Sequence, residues 1–109
     1  MLTKNTAQKA IKNFKEKLIA HLGNQAKLYL FGSVARGDFH AESDIDVLVL
    51  IDGPVNTQLK EEIFGLAFDV ELEMEVCFGV LVYAKERWDS PRIQVTPLHE
   101  NIDKDGVLC

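Results

Sequence analysis

The feature that most constrains this chain is a pair of apolar stretches joined by a short polar turn. Leu28-Tyr29-Leu30-Phe31 runs into Gly32-Ser33-Val34-Ala35-Arg36-Gly37, and Ser43-Asp44-Ile45-Asp46 opens a second stretch that continues Val47-Leu48-Val49-Leu50. The first reads as a strand over about 27–31, and its continuous apolar character predicts burial on both faces. Gly32-Ser33 then turns into a short helix ending near Gly37, residues 38–43 form a polar loop, and a second strand covers about 44–51. The breaker Asp52-Gly53-Pro54 ends it. Side chains two apart on a strand leave the same face, so Asp44 and Asp46 stand side by side. Two acids so placed on a buried strand repel each other and are costly unless a cation sits between them. A hard ion such as Mg²⁺ takes oxygen ligands and keeps a substrate phosphate in its shell. The free N–H groups of the helix opened by Gly32-Ser33 can receive that phosphate. A phosphate cradle next to a metal-holding acid pair implies nucleotide chemistry.

The length of 109 residues predicts one domain, 1–109, with its own core. A net charge of −5 without any Lys/Arg run argues against direct nucleic-acid binding. No charged-then-apolar leader and no apolar run approaching ~18 residues is present, so neither secretion nor a membrane span is expected. Two cysteines, Cys77 and Cys109, make no disulfide framework, and a reducing cytoplasm fits best. Cys77 is expected as a small buried residue.

Around the central stretch the periodicity predicts further elements. Residues 3–21 form an amphipathic helix capped by Thr3 or Asn5, with Ala7, Ala10, Ile11, Phe14, Leu18 and Ile19 on one side and five lysines on the other. Residues 55–70 form a second long helix with Leu59, Ile63, Leu66, Ala67 and Val70 on one face, while Phe64 and Phe68 lie to the side. A third strand is predicted from about Leu72 to Tyr83, with Glu71, Glu73 and Glu75 sharing one parity and hence one face. Tyr83 and Trp88 close the core beside it. In the tail a short helix spans Pro97 to Asp103, and Ile93, Val95, Leu98 and Ile102 supply one docked apolar side. His21, His40 and His99 are scattered and receive no role.

The joined pattern Phe31-Gly32-Ser33, ten intervening residues, then Asp44-Ile45-Asp46-Val47 resembles the core of the DNA polymerase β-like nucleotidyltransferases, and most closely their minimal (MNT) branch. Arg36 and Gly37 stand where the fuller form of the pattern has them. The resemblance covers roughly residues 27–83. It implies an α/β fold with a small mixed central sheet flanked by helices, a pair of Mg²⁺ ions as cofactor, and a nucleoside triphosphate, ATP by family expectation, as substrate. It also implies a third carboxylate ahead of an apolar stretch that leads into a short helix. Glu75 occupies that place best and Glu73, one pleat back, is the alternative; the family more often has Asp there.

On that resemblance, Asp44, Asp46 and Glu75 are the catalytic and metal-binding candidates. Gly32, Ser33 and Arg36 are the nucleotide-binding ones. Gly32 lets the backbone approach a triphosphate, and Ser33 donates to a phosphate or caps the helix. Arg36 either pairs with phosphate through its planar fork or bridges Asp38 or Glu42. Two functions follow. One is transfer of a nucleoside monophosphate, AMP from ATP, to a hydroxyl acceptor such as a tyrosine of a partner protein, with pyrophosphate released. The other is an antitoxin-type module that binds and neutralises a helical HEPN-type partner with little or no catalysis. Larger members of the family carry a further helical domain, absent from this stretch, which leaves the acceptor-binding wall to a partner.

Overall fold

A computed structural model describes residues 1–109. Thr3 caps the first helix: its hydroxyl accepts from the Thr6 amide, and helix α1 runs Lys4–Leu22 with Ala7, Ala10, Phe14 and Leu18 buried. Ile19, expected on the same side, is half exposed because it lies about 100° round the helix from Leu18, off the buried stripe that Leu22 continues. After a single 3₁₀ turn, strand β1 (Ala26–Phe31) leads straight into the five-residue helix α2 (Gly32–Arg36), closed by Gly37 in the left-handed region. Strand β2 (Ile45–Ile51) follows, and every residue of it except Asp46 is buried.

Helix α3 (Thr57–Met74) is capped by Asn56, whose side chain accepts from the Leu59 amide, and it buries Ile63, Ala67 and Val70. Strand β3 (Phe78–Ala84) passes into the short helices α4 (Lys85–Trp88) and α5 (Pro91–Gln94), then α6 (Pro97–Asp105) and a two-residue strand β4 (Val107–Leu108). The sheet order is β3-β2-β1-β4. β1 lies antiparallel to both β2 and β4, whereas β2 and β3 are parallel and joined by the α3 crossover. The mixed α/β sheet flanked by helices is thus as expected.

Each face of the sheet has its own core. Ile45, Val47, Val49 and Ile51 meet α1 and α3, and Phe14 sits there fully buried with its ring 5.3 Å from that of Phe78. Leu48 and Leu50 point the other way, onto Trp88 and Ile102, with the Tyr83 ring tilted 57° against Trp88 at 5.2 Å. His99 is buried there as well, stacked on Trp88 at 4.5 Å with Nδ1 3.2 Å from Asp103. Val95, expected to dock, is 82% exposed between two short helices.

The largest departure from expectation lies between Leu72 and Cys77. Leu72 to Met74 continue α3 instead of starting a strand, because Glu71-Leu72-Glu73-Met74 are all good helix formers and no breaker precedes them. The helix stops only where Glu75 adopts a left-handed conformation with φ 54°. The three glutamates therefore share no face. Glu71 accepts from the Phe78 amide at 2.9 Å, Glu73 is held by Asn13 at 3.0 Å and Lys17 at 3.2 Å, and Glu75 is exposed at the helix end. Cys77 lies in the following loop and is exposed, not buried. Truncating Phe14 leaves a cavity that rigid neighbours cannot fill. Phe14→Ala is expected to lower the unfolding free energy by about 3–5 kcal/mol in urea denaturation, a large share of the ~5–15 kcal/mol typical of a domain.

Candidate active site

Asp44 and Asp46 stand where β2 begins, on the face that carries Leu48 and Leu50 further along. The loop before them braces itself. Ser43 Oγ accepts from the His40 amide at 2.9 Å, the Ser43 amide donates to the His40 carbonyl, and His40 Nδ1 accepts from Glu42. Asp44 is exposed while Asp46 is half-buried. Burial pushes the Asp46 carboxyl above the ordinary carboxylate range, the negative charge of Asp44 pushes it further, and the Arg36 guanidinium pulls it partly back.

Asp46 is confined on both sides by backbone. Its register partners are Phe31 on β1 and Gly79 on β3. Gly32 has φ 73°, and a Cβ there would collide with Asp46 Oδ2; a Cβ at Gly79 would meet Oδ1 at 2.6 Å. The carboxylate thus lies across two glycines, one opening α2 and the other in the neighbouring strand. Gly32 also bends the chain so that α2 begins beside this carboxylate, with Ser33 half-buried in its first turn. Arg36 closes the other end of α2, its Nε 3.2 Å from Asp38 and one terminal nitrogen 3.9 Å from Asp105 of α6. Of the pairings foreseen for it, Asp38 is made and Glu42 is not.

The structure therefore brings Gly32, Ser33, Arg36, Asp44 and Asp46 to one end of the sheet, and it leaves Glu75 at the end of α3. No group of three or more His, Cys, Asp and Glu stands close enough to hold a metal ion. The two aspartates nevertheless fit a hard cation. They form an all-oxygen pair with one member desolvated, and Mg²⁺ is commonly held by one or two carboxylates together with substrate phosphates. The site residue that sequence reasoning missed is Gly79. The signal was there: counting back from Tyr83 in steps of two through Leu81 reaches Gly79 on the aspartate face.

Because the folded state raises the Asp46 pKa, its proton is bound more tightly folded than unfolded. Below the unfolded value of about 4 the group is neutral in both states and costs nothing, and stability falls as pH rises through the higher folded value. Asp46→Asn removes that loss. In chelator the variant is expected to melt above the parent at about pH 7, with the gain vanishing below about pH 4, as thermal unfolding across pH would reveal.

Comparison with known proteins adds three findings. Residues 9–104 match the family model described as "Nucleotidyltransferase domain". Two proteins of Methanocaldococcus jannaschii, both bearing the name "Putative protein adenylyltransferase", are similar to this chain. One is 50% identical over 103 residues, covering 91% of this chain and 93% of that protein. The other is 34% identical over 76 residues, covering 69% and 77%. Among solved structures, one described as a toxin-antitoxin with AMP-PNP superposes with a TM-score of 0.60 at 22% identity, covering 98% of this chain and 72% of that one. That last likeness is one of fold.

Proposed function

This chain belongs to the nucleotidyltransferase domain family, and from that premise we propose that it transfers AMP from ATP to a hydroxyl of a partner protein, such as a tyrosine, releasing pyrophosphate. The observation that carries the proposal is the Asp46 carboxylate, desolvated, beside Asp44, and laid against the glycine that opens α2. The names of the two M. jannaschii relatives favour adenylyl transfer to protein, and the toxin-antitoxin relative in fold favours a protein partner.

In this reading Gly32 leaves room for the triphosphate to approach the backbone, Ser33 donates its hydroxyl and amide to a phosphate oxygen, and Arg36 turns its fork from Asp38 to the phosphates. Asp44 and Asp46 hold Mg²⁺, which when bound neutralises the phosphate oxygens along the reaction. The acceptor oxygen bonds to the α-phosphorus, the bond from that phosphorus to its bridging oxygen breaks, and pyrophosphate leaves with the electron pair. The hydroxyl proton passes to solvent. Glu75, at the end of α3, takes no part.

Calorimetric titration with a non-hydrolysable ATP analogue tests this. Binding is expected with Mg²⁺ and not in chelator, it is lost in Asp44→Asn/Asp46→Asn, and it is unchanged in Glu75→Gln. Absence of Mg²⁺-dependent binding in the parent chain would overturn it.

Gly79 favours a second reading. On β3 the position beside Asp46 carries no side chain, so the sheet offers two acids and no third. The chain would then neutralise a partner by binding alone. If so, Asp44→Asn/Asp46→Asn would protect cells co-expressing the partner as well as the parent chain does; loss of protection by a folded double variant favours transfer.

A further inference from the structure

We propose that the outer face of α3 is a docking surface for a partner protein that presents an apolar helical ridge flanked by basic residues. The inference rests on the reading that this chain works with a partner protein, and it adds where the partner sits and what it looks like.

Phe64, Phe68 and Leu72 recur every four residues, so they form one stripe along the helix. They are 45%, 56% and 66% exposed. Three large apolar side chains in a row on a helix whose opposite face is already buried have no use for the isolated chain. Gly65 stands beside Phe64 on this face. A Gly in mid-helix is destabilising by about 1 kcal/mol relative to Ala, and here it relieves nothing within the chain, since a Cβ at Gly65 would meet no atom within 4 Å. What the missing Cβ does allow is close approach of another helix from outside.

The stripe continues into a groove of about 380 Å³ between α3 and β3, lined by Val55, Lys60, Phe64, Val80, Val82 and Arg87, among others. That groove follows the unpaired edge of the sheet, because β3 is the outermost strand.

Charge selects the occupant. By helical rotation Glu61 and Glu75 fall at the two ends of the stripe and Asp69 along one side. All three are exposed, and none takes part in an ion pair; the cations Lys60 and Arg87 line the groove at the Phe64 end, so the acidic character belongs to the stripe from Phe68 to Glu75. A second copy turned face to face would bring these carboxylates against their own kind, whereas a ridge flanked by Lys and Arg meets them favourably. The docked partner would sit across the sheet from the aspartates, since α3 covers the face of Val47 and Val49 while Asp46 shares the face of Leu48 and Leu50, but at the same end of it. The crossover makes α3 antiparallel to β2 and β3, so its last turn lies at the end of the sheet where Asp44 and Asp46 stand.

The probe is a synthetic helical peptide of about 20 residues with a leucine ridge and Lys/Arg flanks, titrated against the whole chain by fluorescence anisotropy. Two controls carry either Glu flanks or a serine ridge. The basic peptide is expected to bind, with affinity falling as salt is added, and both controls to fail. Phe68→Ser, Gly65→Leu and Glu61→Lys/Glu75→Lys should each weaken binding at least about tenfold, a loss of roughly 1.4 kcal/mol, without lowering the melting temperature below that of the parent. Asp44→Asn/Asp46→Asn should leave it unchanged, which separates this surface from the nucleotide site. The proposal fails if the basic peptide does not bind, or if its binding survives both Phe68→Ser and Gly65→Leu. It fails too if sedimentation shows a parent dimer that Phe68→Ser dissociates, since a second copy would then own the face.

Discussion

Burying a carboxylate at the start of the central strand is the constraint on which the rest of this structure turns. β2 is the strand that both halves of the core need: its odd residues meet α1 and α3 and its even ones meet α4 and α6. Asp46 belongs to the second set by parity, so it cannot leave the sheet without pulling Leu48 and Leu50 out of register. The fold accommodates the charge by removing its neighbours. Glycine stands on either flank, and the one nearby cation, Arg36, is positioned by a helix too short to move independently of β1. A group held in this state favours any cation that can take its charge, and the metal of the proposed nucleotidyl transfer would be one.

Most of this was legible in the sequence because local signals agreed with one another. Thr3, Gly37 and Gly106 mark helix ends by their own side chains or lack of them, and the helical apolar periods of α1 and α3 differ plainly from the continuous apolar runs of β1 and β2. The failure at Leu72 to Cys77 arose where two periods overlapped. Alternating glutamates read equally as one face of a strand or as two opposite sides of a helix, and nothing in the local sequence marks where α3 stops, since its end depends on Glu75 adopting a conformation that non-glycine residues rarely take. β4 was illegible for a different reason: two residues make no period, and the strand exists because β1 has a free edge for it.

The candidate site divides the same way. Gly32, Ser33, Asp44 and Asp46 were visible because they lie on one continuous segment whose spacing is itself the signal. The acid expected from β3 depended on a register between distant segments, and register follows from the α3 boundary that was misplaced. Once Phe78 pairs with Ile45, Gly79 falls opposite Asp46 and the glutamates fall on the far side of a turn. The exposed phenylalanines of α3 were noticed as lying off the core stripe, but periodicity cannot say whether a second apolar side is buried. Only the placement of β3 at the sheet's edge leaves them open.

Arg36 joins parts of the molecule that are far apart in sequence. Its two carboxylate partners, one beside it and one at the end of α6, are exposed ion pairs of the kind that contribute little to stability. Under the proposed function, exchanging them for a phosphate would therefore cost the fold little, and the arginine would act as a latch held by its own chain until a nucleotide arrives. Were it to swing as proposed, Asp105 would lose that contact one residue before the Gly106 cap and two before β4, the strand that borders β1. The proposed nucleotide turn at one end of β1 and the strand along its edge would then be linked through one exposed contact.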